Sequence, residues 1–529
     1  MRRFDNPDVT ITDVMASYGK WRASKTAVVC GPEAITWREF NNRINQVANR
    51  LMALGLSKGD KVSLLSGNCI EVLIVLFGII KAGGVAVPLS VMVQGDSLAR
   101  MVIDSDSRFL FVHSSMAPVM DPFRDDFNRI APDGYVVIGD GASGWTPLED
   151  FLEGASRQEP GVRLAYEDPI NIMYTSGTTG VPKGIVHTHH NRLHFAMSFA
   201  TEFRCDSSAV NIVATALYAN GTWLTMLPTM LNGGTLVIMP KFDPQEFLGL
   251  VQKHRCTNTF MVPTQFTILL EQENFEEYDL SSMRVWLSAG SPFRPAVKRQ
   301  VLERFPGDLM ELWGLTEGVG TILRPEEMAE KTESVGIPRL GWEVGIIDEQ
   351  GNELPHGEIG EIVAYSSWLM PQYYKLPEKT EEAIWLDRHG RTYLRTGDMG
   401  KLDRDGFLYI LDRKKDMIIS GGINIFASDI EEVACRLPEV ADVVVIGVPH
   451  PKWGETPVAL VVPKTGAAAD LEAIKQRLNN NLAKYQRVSQ VILREDFPRN
   501  VLGKVLKREL RDEYRDLNSE VAPRDRTVV

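Results

Sequence analysis

A loop rich in glycine and hydroxyl groups offers the clearest chemistry in this sequence. Residues 174–184 read YTSGTTGVPKG and follow the apolar stretch 170–173. Glycines let backbone N–H groups approach an anion, hydroxyls donate further hydrogen bonds, and Lys183 adds a compact positive charge. Such a loop suits a polyphosphate, although a non-functional Ser/Thr/Gly surface loop has the same composition. It is neither a Walker P-loop, in which Ser or Thr follows the lysine, nor the dinucleotide motif G-x-G-x-x-G.

Four further segments complete a pattern with this loop. They are WGLTEG at 313–318, YLRTGD at 393–398, ILDRKKDMIISGGIN at 410–424 and PRNVLGK at 498–504. In this order the five segments resemble the motifs of the adenylate-forming superfamily, which includes acyl-CoA synthetases, firefly luciferase and the adenylation domains of peptide synthetases. Five motifs in family order argue strongly against a chance resemblance.

The resemblance implies which residues bind the phosphates of ATP. Thr316 would contact the α-phosphate, while Glu317 and Thr175 would ligate Mg2+, a hard cation that prefers oxygen ligands. Lys504 would stabilise the negative charge that accumulates when a carboxylate attacks the α-phosphate. Lys183, Thr316, Glu317 and Lys504 would therefore be the catalytic set. The β- and γ-phosphates would be held by Thr175, Ser176, Gly177, Thr178, Thr179 and Lys183.

The resemblance also implies a nucleoside site and a site for the second co-substrate, coenzyme A. Trp313 would stack on adenine, although core packing is an alternative for a tryptophan. Asp398 would accept both ribose hydroxyls, although an aspartate in this setting also suits a turn. Gly421 and Gly422 would leave room for the pantetheine thiol. The remaining nucleotide contacts would be Gly290, Ser291, Pro292 and Gly314 near adenine, and Ile410 and Arg413 near the ribose.

A separate set of residues would line the pocket for the acid. The stretch 217–223, LYANGTW, has no acidic residue, so an amino-acid substrate is disfavoured because a buried ammonium needs a counter-charge. Many fatty-acyl and coumarate-type ligases have histidine where Tyr218 stands, so their substrate preference does not transfer directly. We predict a neutral-bodied monocarboxylate, either a medium-chain fatty acid or an aryl or phenylpropenoid acid. The pocket residues would be Tyr218, Asn220, Trp223, Ser288 and Ala289, with core packing an equal alternative for Trp223.

The predicted helices and strands that would position these residues follow an α/β pattern. Strand-like segments alternate with helical periodicity, which predicts largely parallel sheets. The run 72–89 is broken by Lys81, two glycines and Pro88, so we expect a buried helix and a buried strand rather than a membrane span. Predicted helices cover 40–56 and 244–253, and predicted strands cover 61–65, 108–113, 135–138, 234–239, 259–262 and 283–288.

The second half of the chain changes character. Short strands and turn dipeptides from 335 onwards predict a β-rich subdomain, and the charged run DRKKD occupies 412–416. Beyond it, strands at 443–448 and 458–463 and a helix at 471–482 predict an α+β domain. We therefore expect a large N-terminal domain of parallel-rich α/β layers and a small mobile C-terminal domain. Their predicted limits are 1–412 (with the β-rich subdomain at 335–412), a hinge at 413–416 that includes Lys415, and 417–529.

Composition excludes several other classes of protein. The 529 residues carry a formal net charge of −12, which argues against a nucleic-acid partner, while local donors can still bind anionic substrates. Five scattered cysteines show neither a disulfide framework nor zinc spacing. The N-terminus lacks the apolar segment of a secretory signal. We expect a cytoplasmic protein without a membrane span, either a monomer or a homodimer.

The reaction that the resemblance implies has two halves. A carboxylic acid and ATP give an acyl-adenylate and pyrophosphate, and the thiol of CoA then gives acyl-CoA and AMP. Adenylation with another acceptor, as in amino-acid adenylation or a luciferase-like reaction, remains an alternative. So do an unrelated ATP-dependent enzyme such as a kinase, and a non-catalytic nucleotide-binding protein on the same scaffold.

Overall fold

The computed structural model describes residues 8–93, 95–175, 183–464, 470–499 and 503–518. Contacts divide the chain into two compact units. The first unit comprises residues 1–343 and 364–394, and the second comprises 344–363 and 395–529. Within the described ranges, no helix is both long and apolar enough to cross a membrane.

Helices of the first unit are short to medium in length. They are α1 Ile11–Trp21, α2 Trp37–Ala53, α3 Ile70–Lys81, α4 Gly95–Asp104, α5 Ala117–Met120, α6 Leu148–Leu152, α7 His189–Glu202, α8 Trp223–Leu231, α9 Pro244–His254, α10 Pro263–Leu270, α11 Pro295–Arg304, α12 Pro325–Met328 and α13 Pro377–Glu382. The second unit contains α14 Ala427–Cys435, α15 Leu471–Asn480 and α16 Lys507–Glu513.

Strands are numbered along the whole chain. Those up to residue 323 are β1 Thr26–Cys30, β2 Glu33–Thr36, β3 Lys61–Leu65, β4 Val85–Pro88, β5 Ser107–His113, β6 Tyr135–Ile138, β7 Thr146–Pro147, β8 Pro169–Thr175, β9 Lys183–Thr188, β10 Val210–Val213, β11 Thr235–Ile238, β12 Asn258–Met261, β13 Val285–Ala289, β14 Asp308–Leu315 and β15 Val319–Leu323. The others are β16 Trp342–Ile347, β17 Gly360–Ser366, β18 Ile384–Leu386, β19 Thr392–Leu402, β20 Leu408–Arg413, β21 Ile418–Ser420, β22 Ile423–Ile425, β23 Val440–His450, β24 Gly454–Pro463 and β25 Gln490–Leu493.

Two sheets organise the first unit. One has the order β7-β6-β5-β3-β4-β8-β9 and the other the order β15-β14-β13-β12-β10-β11-β1-β2. Neighbouring strands run parallel except for the pairs β8–β9, β14–β15 and β1–β2. Parallel strands bring their carboxyl ends to one edge of a sheet, where α/β proteins bind ligands.

Local sequence explains where these elements begin and end. Helix α2 starts three residues before the predicted 40–56 because the Thr36 hydroxyl accepts a hydrogen bond from the Glu39 N–H and caps it. The apolar run forms a buried helix, α3, followed by the buried strand β4, as predicted. Strands β3 and β6 match their predicted limits, and β5, β11, β12 and β13 differ by one or two residues at their ends. Strands β23 and β24 begin three and four residues before the predicted 443 and 458.

A five-stranded sheet in the second unit has the order β22-β21-β24-β23, with β25 beside β24. Alternate residues of β23 face opposite sides, so Val443 and Val445 pack with α14 and α15, while Val444 and Ile446 pack with Leu510 of α16. A second five-stranded sheet, β16-β17-β19-β18 with β20 beside β19, accounts for the β-rich segment. The predicted α/β class, with parallel-rich sheets and a larger N-terminal than C-terminal domain, is confirmed. The hinge at 413–416 and the limit at residue 412 stay predictions.

Candidate active site

The carboxyl ends of β13 and β14 carry several predicted nucleotide residues of the first unit. Ala289 is the register partner of Leu312, which places Gly290 next to the strand position of Trp313. Gly290, Ser291 and Pro292 form the loop after β13, and Trp313 is half-buried. The geometry therefore offers an aromatic face and an adjoining backbone loop at the edge where ligands bind in parallel sheets.

Thr316 and Glu317 lie in the tight turn between β14 and β15. The Gly318 N–H donates to the Leu315 carbonyl at 3.0 Å, and the Met370 N–H donates to the Glu317 carbonyl at 2.7 Å. Gly314 faces Gly320 across the hairpin, where a Cβ on Gly314 would lie 2.7 Å from the Val319 carbonyl oxygen. The turn is thus held by its own backbone and by the segment that contains Met370.

The ends of the glycine- and hydroxyl-rich loop lie on paired strands. Thr175, the last residue of β8, is the register partner of Lys183, the first residue of β9. The Lys183 ammonium lies 4.8 Å from the ring centroid of Tyr373, and the Tyr373 hydroxyl donates to Glu317 Oε1 at 2.9 Å. One tyrosine therefore connects the loop lysine with the predicted metal ligand. The predicted phosphate contacts Ser176, Gly177, Thr178 and Thr179 lie outside the described residues.

Behind the Thr316 turn lies a buried polar network. His187 Nε2 lies 2.8 Å from the Thr316 carbonyl oxygen, and His187 Nδ1 lies 3.0 Å from Asn171 Nδ2 and 3.2 Å from Arg192 Nη2. Burial and the charge of Arg192 hold the pKa of His187 well below its usual value. The imidazole is neutral, and because a carbonyl only accepts, its Nε2–H donates to Thr316.

The predicted pocket residues of the first unit differ in exposure. Trp223 is fully buried, donates from its indole N–H to the Leu217 carbonyl at 2.9 Å, and lies under the Arg192 guanidinium. Tyr218 and Asn220 are half-buried, and Tyr218 borders a small cleft with Leu73, Leu76 and Pro88. Ser288 and Ala289 are buried at the end of β13, where the Ser288 hydroxyl has no hydrogen-bond partner among the described atoms.

Within the second unit, Asp398 and Arg413 are register partners on β19 and β20. Asp398 is buried, and its Oδ1 lies 2.6 Å from Nε of Arg413 in an ion pair. The neighbouring backbone is also fixed, because the Lys414 N–H donates to the Gly397 carbonyl at 2.9 Å. Ile410 is half-buried on β20, where it pairs with Gly400. The carboxylate proposed for the ribose is therefore held in place before any ligand binds.

Lys504 shares the electrostatic environment of this ion pair. Its neighbours on both sides contact Arg499: Val505 forms a bridge with Arg499, and Arg499 Nη1 donates to the Gly503 carbonyl at 2.9 Å. Part of the Lys504 side chain is exposed to solvent, but surrounding protein partly desolvates its ammonium group. This desolvation and the positive charge of Arg413 lower the pKa of Lys504 to about 8, although the charge of Asp398 acts in the opposite direction. The amine can thus change protonation near neutral pH.

The remaining predicted residues of the second unit lie in two turns. Lys415 follows β20, and Arg511 of α16 donates to its carbonyl at 3.3 Å. Desolvation, with the charges of nearby arginines, lowers the pKa of Lys415. Gly421 and Gly422 connect β21 and β22 as a two-residue turn with φ of 57° and 82°. Both values lie in the left-handed region typical of a type I′ hairpin turn, which explains the two glycines.

Each of the two units, taken by itself, carries groups whose chemistry suits part of a magnesium nucleotide. The Glu317 carboxylate and the Thr175 hydroxyl are the hard oxygen ligands that Mg2+ prefers. In the first unit Lys183 adds a positive charge suited to phosphate, and in the second unit Arg413 fixes the Asp398 carboxylate, which suits ribose hydroxyls. Sequence reasoning missed His187, Arg192 and Tyr373. An arginine on the buried face of α7, among Phe195, Ala196 and Phe199, could have signalled Arg192.

Comparison with known proteins assigns the class. Residues 17–374 match the family model of the AMP-binding enzymes, and residues 429–504 match that of the AMP-binding enzyme C-terminal domain. The chain therefore belongs to the AMP-binding family, whose members are adenylate-forming, ATP-dependent enzymes, as the motifs predicted.

Three relatives place the chain within this family. The long-chain-fatty-acid–CoA ligase FadD13 of Mycobacterium tuberculosis is 34% identical over 482 residues, covering 91% of this chain and 93% of that protein. A feruloyl-CoA synthase of Amycolatopsis is 32% identical over 492 residues, covering 92% of this chain and 96% of that protein. The crystal structure of ATP-bound MatB from Rhodopseudomonas palustris is similar with a TM-score of 0.86 and 30% identity, covering 96% and 99% of the two chains.

Proposed function

We propose that this protein is an acid–CoA ligase that works through an acyl-adenylate. A carboxylate would attack the α-phosphorus of ATP and release pyrophosphate, and the CoA thiol would then displace AMP from the adenylate. The observation that carries the proposal is the Asp398–Arg413 ion pair in the second unit, together with Lys504, whose pKa is influenced by both charges. It combines a pre-positioned acceptor for ribose hydroxyls with an ammonium suited to a negatively charged transition state.

Roles within the first unit follow from charge and position. Lys183 would bind the β- and γ-phosphates, and Thr316, on a turn supported by His187, would contact the α-phosphate. Glu317 and Thr175 would hold Mg2+, which neutralises phosphate charge when bound. Trp313 would stack on the adenine ring, because its half-exposed indole stands at the edge of the parallel strands.

CoA is the proposed acceptor of the acyl group. FadD13 and the feruloyl-CoA synthase are both named for CoA products, and they span nearly the whole chain. The Gly421–Gly422 turn lacks side chains beyond Cα and would leave room for a pantetheine thiol. Movement of residues 417–529 at a hinge that includes Lys415 would separate the two half-reactions.

The acid is proposed to be a monocarboxylate with an uncharged body, either a medium-chain fatty acid or an aryl or phenylpropenoid acid. An amine on the substrate is disfavoured because residues 217–223 contain no acidic side chain, and Arg192 adds a buried positive charge beside Trp223. The feruloyl-CoA synthase is named for an acid of the aryl or phenylpropenoid kind, and FadD13 is named for a fatty acid, although a long-chain one.

A product assay tests this function. The enzyme is incubated with ATP, Mg2+ and a panel of acids from acetate to long-chain and aryl acids, with and without CoA. We expect pyrophosphate release when an acid is supplied without CoA, and AMP and acyl-CoA when CoA is added. The acids are then ranked by their kcat/KM values. ADP release would indicate phosphoryl transfer instead. Pyrophosphate release without thioester formation would indicate another acceptor, and nucleotide binding without turnover would indicate a non-catalytic protein.

A further inference from the structure

Arg192 is a buried cation without an acidic partner in the described part of the chain. It is 1% exposed, and no carboxylate of the described residues lies within salt-bridge distance of it. Two other buried cations of the first unit are paired, Lys298 with Glu311 and Lys81 with Glu159. Burial lowers the pKa of Arg192 only to about 9, so it remains charged at neutral pH. An unpaired buried charge is costly, which points to a specific use.

The guanidinium fixes the orientation of the polar groups around it, because it can only donate hydrogen bonds. Its Nε donates to Asn171 Oδ1 and its Nη1 to Asn220 Oδ1, both at 2.9 Å. The oxygen of each amide must therefore face Arg192, and each NH2 group must point away. For Asn171 the NH2 group is used by His187, which lies 3.0 Å away.

For Asn220 the NH2 group has no hydrogen-bond acceptor among the described residues. Asn220 is half-buried, so this group is accessible, whereas the guanidinium behind it is not. The Trp223 ring centroid lies 4.6 Å and the Phe195 ring centroid 5.3 Å from the guanidinium carbon and cover it. Asn220 therefore presents two accessible amide N–H donors, and they are polarised by a positive charge that a ligand cannot reach.

We propose that Arg192 determines the specificity of the acyl pocket by orienting Asn220, and that the preferred acid carries a neutral oxygen acceptor in its body. A phenol, ether or ketone oxygen would accept a hydrogen bond from the Asn220 NH2 group. A second carboxylate is disfavoured because it could not form the bidentate pair with Arg192 that offsets its desolvation. This inference rests on the proposed function and selects the oxygen-bearing acids within it.

Pairs of acids that differ only in the oxygen-bearing group test the inference through the ratio of their kcat/KM values. We would compare 4-hydroxycinnamate, 4-methylcinnamate and 4-carboxycinnamate, and separately 7-oxooctanoate and octanoate, by kcat/KM for pyrophosphate release. For at least one pair, we expect the kcat/KM of the neutral acid with the extra oxygen to exceed that of its hydrocarbon analogue by about tenfold or more. The analogue leaves the Asn220 NH2 group without a hydrogen-bond acceptor. Failure of every acid to release pyrophosphate would count against the proposed function, whereas activity without such a preference would overturn this inference alone.

Variants separate specificity from general damage. Asn220→Leu should bring the ratio close to one, and Arg192→Gln should reduce it, because glutamine lets the Asn220 amide turn over. A merely structural defect would lower both values of kcat/KM and leave the ratio unchanged. Asn232→Leu, which removes an amide that follows the end of α8, is the matched control and should retain the wild-type ratio. A retained ratio in Asn220→Leu, or a preference for 4-carboxycinnamate, would overturn the inference.

Discussion

His187 donates from Nε2 to the carbonyl oxygen of Thr316 over 2.8 Å, although 129 positions separate the two residues in the sequence. The imidazole is buried and neutral, and Arg192 and Asn171 fix which nitrogen carries the proton. The turn that bears Thr316 is therefore supported by a donor that does not change protonation near neutral pH.

Replacement of His187 tests this support. His187→Leu should lower the kcat of adenylation by about tenfold, because the Thr316 carbonyl loses its buried donor. His187→Gln, whose amide can still donate, should recover part of the activity. Pre-steady-state pyrophosphate release measures the effect, and equal activity of both variants would contradict it.

Lys504→Ala should separate the two half-reactions. Adenylation should fall by at least about a hundredfold, because the ammonium beside Asp398 and Arg413 is lost. Thioester formation from a supplied acyl-adenylate and CoA should change little. Each half-reaction is measured by single-turnover kinetics, and an equal loss in both would refute a role confined to adenylation.

Adenylation should also depend on pH through Lys504. Its pKa is lowered to about 8, so the ammonium is present below pH 8 and is lost as the pH rises through that value. The kcat/KM for ATP, which reports the free enzyme, should therefore fall above about pH 8. Thioester formation from a supplied adenylate is the control and should lack this alkaline limb.

The ion pair of Asp398 and Arg413 should govern ATP binding. Arg413→Gln leaves the buried carboxylate without its charged partner, and we expect the KM for ATP to rise about tenfold and the free energy of unfolding to fall by about 1–3 kcal/mol. Arg395→Gln is the matched control, because Arg395 lies on β19 with Asp398 but pairs with Glu361. It should change stability without changing the KM for ATP.

Tyr373 should affect the requirement for Mg2+. Tyr373→Phe keeps the ring under Lys183 but removes the hydroxyl that donates to Glu317 Oε1. The Mg2+ concentration for half-maximal activity should change by about threefold or more, because the orientation of the carboxylate is no longer fixed. Tyr374→Phe, which removes a hydroxyl bonded to Asp106, is the control and should leave the Mg2+ titration unchanged.

Periodic and local signals predicted most of the framework. The strands at 61–65 and 135–138 were predicted at their observed limits, and the helix at 244–253 is one residue longer than predicted. These elements depend on apolar patterning and on caps a few residues away, which a sequence shows directly. The start of α2 was predicted too late because the Thr36 hydroxyl caps the helix before the apolar period begins.

The polar networks could not be predicted in the same way. Lys183 and His187 lie on β9 of the seven-stranded sheet, whereas their partners Tyr373 and Thr316 lie outside that sheet and more than 100 positions away in the sequence, so tertiary packing alone brings them together. Motif resemblance named Lys183 and Thr316 but not the groups that position them. Such partners depend on tertiary packing and leave at most a local anomaly, such as a charged residue on the buried face of a helix.

The glycines Gly314 and Gly320 limit which substitutions the β14–β15 hairpin can accept. A methyl group on Gly314 would lie 2.7 Å from the Val319 carbonyl oxygen, and one on Gly320 would lie 2.5 Å from the Trp313 carbonyl oxygen. Neither neighbour is a side chain that can rotate away, so both strands would have to separate. In a directed-evolution library aimed at new acids, variants at these two positions would mostly fail to fold correctly. Such a library should instead vary Tyr218 and Asn220, which are only half-buried.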